Sequence, residues 1–274
     1  MATGGELPDP RAAEESVRAI GLYSAYRAAL DASPIGGRFM PYRWWSLQDK
    51  MSAVWLPFSQ MLVEYATELA NIINDLTHDV HRLRAWSRVV DPLEDDARLA
   101  ATHEFIDMLG TVAMGRPYAI KSRFAFAAGS LCHQANFAKD PHGWRDEFPD
   151  ARALYLHLVD PICSKWRRYG AFKRRVEPIA GAGFNAGSED FRNAYNHRFS
   201  ARFVIGMTGV VTRTVGEDGQ VGYGVGGTEP LGLDYVADLL AVERDHCYRA
   251  FDAFQTLVAE LVDAITAFDA GPAT

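Results

Sequence analysis

The residues best suited to chemistry stand close together in FRNAYNHRF, Phe191 to Phe199, where two arginines (Arg192, Arg198), two asparagines (Asn193, Asn196) and His197 fall within seven positions. An imidazole can exchange a proton near neutral pH, and a planar guanidinium can hold a phosphate through two parallel hydrogen bonds. The pair Arg-x-x-x-x-His is not distinctive in itself, because it also occurs at Arg98/His103 and Arg152/His157. The third copy differs in having Asn193 after the arginine, where the others have Leu99 and Ala153, and in following the glycine-rich break GAGFNAG, Gly181 to Gly187. On a regular helix, positions five apart point about 140° away from each other, whereas positions four apart are neighbours. Arg192 and His197 are therefore expected to flank a groove, with Asn193 orienting the His197 ring.

FRNAYNHR resembles the RNxxxH signature of HEPN domains, helical bundles of which many are metal-independent ribonucleases that work as dimers. About eight residues carry the resemblance, and the helical order of residues 46–268 is compatible with a HEPN-like core. The resemblance implies that His197 is the acid/base or positioning group, Arg192 the phosphate stabiliser and Asn193 their support. Arg198, Tyr195 and Asn196 would contact phosphate or base. It further implies 2′-hydroxyl attack on the adjacent phosphate, products ending in a 2′,3′-cyclic phosphate and a 5′-hydroxyl, no metal and no other cofactor. RNA, a second copy of the chain, and a partner protein such as an antitoxin are the implied partners. A non-catalytic RNA- or protein-binding module is the alternative within the same fold. The hairpin ahead of the last helix departs from the simple bundle.

A second candidate is KWRRYGAFKRR, Lys165 to Arg175, in which Trp166, Tyr169 and Phe172 recur every third residue among cations. Lys165, Arg168 and Arg175 could follow a phosphate backbone, with an aromatic free to stack on a base. A buried aromatic stripe beneath a solvated charged face is the competing reading, and the favoured one. A metal-binding bundle is a further alternative, since Asp75/His78 and Glu243/His246 each place a carboxylate and an imidazole three apart on one helix face. The glycines of Gly222 to Gly227 follow a strand and lack the lysine or helix of a phosphate loop.

These groups need a scaffold. The composition, 48% hydrophobic and 23% charged over 274 residues, is that of an ordinary globular protein. A net charge of −7 means that nucleic acid must be met by a local basic patch rather than by the surface at large. Cys132, Cys163 and Cys247 share no metal-ligand spacing and are expected to be buried, free thiols. No long apolar run or apolar leader is seen, so a cytoplasmic chain without a membrane span is expected.

The periodicity predicts an all-α bundle with one hairpin near residues 203–226, in a single domain over 15–274 after a flexible tail over 1–14. A first helix is expected from Ser16 and a second from an N-cap at Ser46, kinked at Pro57. A third should open after Pro92, and Gly115-Arg-Pro117 should separate it from a fourth ending near Ala138. A fifth is expected from Ala151 to about Ile179, bent at Pro161. Ser188 should cap a sixth that begins at Glu189, and a last should run from Leu233 to Phe268.

Overall fold

The computed structural model describes residues 10–48, 51–150, 154–216 and 218–270. Its helices are α1 (Pro10–Asp31), α2 (Leu56–Val90), α3 (Asp95–Ala101), α4 (Asp107–Lys139), α5 (Leu156–Cys163), α6 (Tyr169–Val176), α7 (Ala182–Gly187), α8 (Phe191–His197) and α9 (Leu233–Asp269). Strands β1 (Val211–Val215) and β2 (Val221–Val225) form a small antiparallel hairpin. The protein is thus all-α with one inserted hairpin. Its chain divides into two compact units, the first comprising Met1–Gly36, His78–Val112 and Glu189–Asp238, the second Gly37–Thr77, Ala113–Ser188 and Leu239–Thr274. Among the described residues, no helix is long and apolar enough to cross a membrane.

In the second unit, Phe58, Leu62, Leu69, Ile73 and Leu76 of α2 are buried at the three- and four-residue steps seen in the sequence. Phe251, Phe254, Leu257, Leu261 and Ile265 of α9 follow the same rule. The start of α2 differs from expectation. Among the described residues Ser46 caps no helix, and a single 3-10 turn, Ala53–Trp55, leads into Leu56. Pro57 lies in the first turn, where its missing N–H is not required, so it opens the helix without kinking it. Asp269 fastens this entry by accepting the Ser52 backbone N–H (2.9 Å), the Ser52 hydroxyl (2.8 Å) and the Trp55 indole N–H (2.9 Å).

The break expected at Gly115-Arg-Pro117 is absent, and α4 runs straight through Pro117. An interior proline costs about 3 kcal/mol. Ala113, Met114, Ile120 and Phe124, all buried on either side, offset it. A wider π-helical turn, Thr102–Ile106, precedes α4. The expected fifth helix is two short ones, α5 and α6, separated by an irregular stretch over 164–168, and Pro161 lies inside α5. The glycine-rich segment is not a plain loop, since it folds α7. Trp166, Tyr169 and Phe172 are buried, and the Trp166 indole N–H donates to Asn136 Oδ1 at 2.9 Å. The three cysteines are free and buried, and burial pushes the Cys132 and Cys247 thiols well above their usual range.

In the first unit, α1 begins at Pro10, ahead of the expected Ser16; residues 1–9 of the anticipated tail lie outside the described residues. Tyr26 stacks on Trp86 at 4.5 Å, and Trp86 stacks on Phe105 at 4.9 Å. The hairpin has the expected form, with Val211 opposite Val225 and Val215 opposite Val221. Gly219 supplies the positive φ of its turn (77°), and Asp218 Oδ1 accepts the Gln220 N–H at 3.0 Å.

Candidate nucleic-acid interface

Helix α8 begins two residues later than the sequence indicates. Ser188 is not its cap: that side chain is buried and its hydroxyl donates to the Asn185 carbonyl at 3.3 Å. Glu189 and Asp190 then adopt left-handed backbone, each at φ 54°, and the helix starts at Phe191. For residues other than glycine this conformation costs roughly 1–2 kcal/mol each. Asp190 gains two contacts in return. Its Oδ2 accepts hydrogen bonds from Asn193 Nδ2 at 2.7 Å and from Arg198 Nη2 at 3.0 Å.

Only Phe191 and Ala194, three apart, are buried in α8. Phe191 packs 5.3 Å from Phe203, whose ring lies so close to Gly110 of α4 that a Cβ there would come within 2.7 Å of it. Phe203 is in turn fixed by its backbone. The Val204 N–H donates to the Leu231 carbonyl (3.0 Å), and the Leu231 N–H donates to the Arg202 carbonyl (2.8 Å). Val204 itself is held at φ 63°, unusual for a β-branched residue. Two aromatic rings and a glycine therefore seat a helix of seven residues and turn its polar side outward.

Arg192, Asn193, Tyr195, Asn196, His197 and Arg198 are all exposed. Arg192 lies on the first turn and His197 at the last residue, about 140° apart around the axis. The expected orienting role of Asn193 is not seen: its amide is bonded to Asp190, and the His197 ring makes no hydrogen bond among the described residues. The physical reason is proximity, since the carboxylate three residues before Asn193 competes for the same amide and carries a full charge. Tyr195, 57% exposed, stacks on Phe191 at 6.0 Å and 11°. It borders a cavity of about 230 Å³ that Asp107, Met108, Ser200, Arg202 and Phe203 also line.

In the second unit, Lys165, Arg168 and Arg175 are exposed while the aromatics between them are core. The aromatics therefore offer no stacking face. Lys165 lies 3.8 Å from Glu147, Lys173 pairs with Asp160 at 2.6 Å, and the Glu260 carboxylate takes the backbone N–H groups of Arg167 (3.0 Å) and Arg168 (2.8 Å). Arg167, Arg168, Arg174 and Arg175 make no ion pair among the described residues, leaving a cationic surface on this unit.

The metal-binding alternative finds no support in these positions. Glu243 is buried and accepts the Ala180 N–H at 2.6 Å; burial pushes its carboxyl up, against that hydrogen bond and the nearby Lys121 ammonium. His246 Nδ1 is bonded to Arg249 at 2.9 Å, and Asp75 pairs with Arg116 at 3.0 Å. His78 borders a first-unit cavity of about 500 Å³, alongside His81, Arg82, Trp86 and Phe105. Among the described residues, no three His, Cys, Asp or Glu side chains are grouped so as to hold a metal ion.

In comparisons with protein-family models, with curated proteins and with solved structures, nothing matches this chain. Asp190 is the residue at this site that sequence reading misses as an organiser. Its signal is the Asp-x-x-Asn spacing, which is easily taken for helix N-terminal charge. Arg152, of the second Arg/His pair, lies outside the described residues.

Proposed function

We propose that the chain is a HEPN-like protein that binds RNA along α8 and cleaves it without a metal as a homodimer. The observation that carries this reading is the segregation within α8. Phe191 and Ala194 are buried, whereas Arg192, Asn196 and His197 are all presented to solvent on a backbone fixed by Asp190 and Phe203. A purely structural helix start would not need a cationic fork and an imidazole outside.

In the reaction, the 2′-oxygen of one nucleotide attacks its own 3′-phosphate, forming the O2′–P bond as the P–O5′ bond breaks. The 2′-hydroxyl proton passes to a general base, and the departing 5′-oxygen takes up a proton from a general acid. His197 serves one of these transfers and the symmetry-related His197 the other. The Arg192 guanidinium balances the charge that builds on the phosphorus oxygens. Asn193 acts through Asp190 by keeping the helix in register, and Tyr195 offers a ring for base stacking.

A binding role without cleavage is the second reading, favoured by the lack, among the described residues of one protomer, of any hydrogen bond that would fix the His197 tautomer. The purified protein, incubated with mixed RNA in chelator, separates the two. Cleavage to cyclic-phosphate and 5′-hydroxyl ends, lost in both His197→Ala and Arg192→Ala, supports the nuclease. Retarded but intact RNA, with retardation lost in Arg192→Ala, supports the binding module. RNA neither bound nor cut overturns both.

A further inference from the structure

The second unit carries a cleft of about 580 Å³ whose lining includes Trp44, Trp45, Asp252, Gln255, Thr256 and Asp263. The two indoles stand at 84° with centroids 5.2 Å apart, so their faces form a corner. Trp44 is held there by edge contacts to the buried rings of Phe251 (6.0 Å) and Phe254 (6.1 Å). From α9, Asp252, Thr256, Ala259 and Asp263 recur at four-, three- and four-residue steps and share one stripe, with the small Ala259 leaving room between them. Among the described residues, no lysine or arginine is part of the lining. Asp252 is neutralised by Arg38 at 2.5 Å, but Asp263 makes no ion pair among the described residues. The Trp44 indole N–H is buried and has no acceptor among them either.

Indole faces carry negative quadrupole potential and attract alkylated ammonium groups, whose weak hydration makes them easy to strip of water. A carboxylate without a counter-ion among the described residues adds charge complementarity. We propose that this cleft binds a small organic ammonium ion, its alkylammonium head in the corner between Trp44 and Trp45 and its charge balanced by Asp263. The site is independent of α8 and of the ribonuclease reading.

Calorimetric titration of the full chain with choline tests it, with sodium chloride at equal ionic strength as the blank. A second titrant is the neutral carbon isostere in which a tert-butyl group replaces trimethylammonium. Choline should give a saturable heat that the isostere does not. Trp45→Ala should weaken binding by a factor of roughly 2 to 30. Asp263→Asn, a change on the helix surface that keeps shape and fold, should weaken it by a factor of roughly 2 to 5. Sedimentation with phosphatidylcholine vesicles then identifies the source of the head group. Co-sedimentation lost in Trp45→Ala assigns a lipid, and binding of free choline alone assigns a soluble ligand. No heat beyond the salt blank, equal binding of the isostere, or unchanged affinity in both variants would overturn the proposal.

Discussion

Asp190 and Arg198 close a bond across α8: the Asp190 Oδ2 that accepts the Asn193 amide also accepts the Arg198 guanidinium at 3.0 Å. One carboxylate thus ties the entry of the helix to its exit. This matters because a helix of seven residues has almost no stability of its own.

Replacing Asp190 with alanine should loosen α8 while leaving the rest of the protein folded. The loss is about 1 kcal/mol, since both bonds are partly solvated. Amide hydrogen exchange at Ala194 to Arg198 should accelerate. Asp190→Asn should retain most of the protection, because asparagine tolerates left-handed backbone and keeps an acceptor oxygen. Equal exchange in wild type and alanine variant would remove Asp190 from its assigned role.

Gly110→Ala should destabilise the protein by about 1–3 kcal/mol, because the new methyl would run into the Phe203 ring, and the main chain on either side of Phe203 is pinned by the Arg202 and Val204 hydrogen bonds to Leu231. Gly115→Ala, also in α4 but with nothing near its Cβ position, should instead add up to about 1 kcal/mol. Urea midpoints of the two variants should therefore move in opposite directions.

Asp269→Ala should cost about 1–3 kcal/mol at neutral pH, through loss of acceptors for Ser52 and Trp55. Partial burial works against ionisation of Asp269, but the Ser52 and Trp55 hydrogen bonds prevail and hold its carboxyl below the usual 3.8. Its ionised form is therefore favoured by folding. The contribution is fully present above that usual value and disappears as pH falls through the lowered one. The gap in thermal midpoint between wild type and Asp269→Ala should narrow on acidification.

His133 has the opposite chemistry and the same direction of pH response. Burial lowers its pKa, outweighing Asp146, whose carboxylate sits 3.1 Å from Nε2. The unfolded chain thus binds a proton that the folded one resists, and stability should fall as pH drops from 6.5 toward the lowered value, then level off. His133→Gln should flatten unfolding free energy across this window, as read by denaturant titrations at stepped pH.

Much of the fold is legible in the residues themselves. The buried steps of α2 and α9 and the Asp218-Gly219 turn follow from local pattern, and the structure carries each of them. What the pattern could not give depends on partners distant in sequence. Pro117 reads as a breaker because only the buried neighbours around it reveal that a helix gains more by continuing. Ser46 reads as a cap because Asp269, more than two hundred positions away, is the group that fixes where α2 begins. At the candidate site, sequence marks the polar run and leaves its internal wiring open. Asn193 has two neighbours within reach, and the charged one takes the amide. Trp44 and Trp45 read only as adjacent aromatics, since Phe251 and Phe254, against which Trp44 packs, lie some two hundred positions away.

Strands β1 and β2 bury none of their side chains, and a two-stranded ribbon without a packed face has little stability to lose. The tip at Asp218 and Gly219 is consequently a permissive point for splicing in foreign sequence. A peptide epitope or a fluorescent reporter grafted there would give an observer a handle on the protein in living cells while sparing its helices.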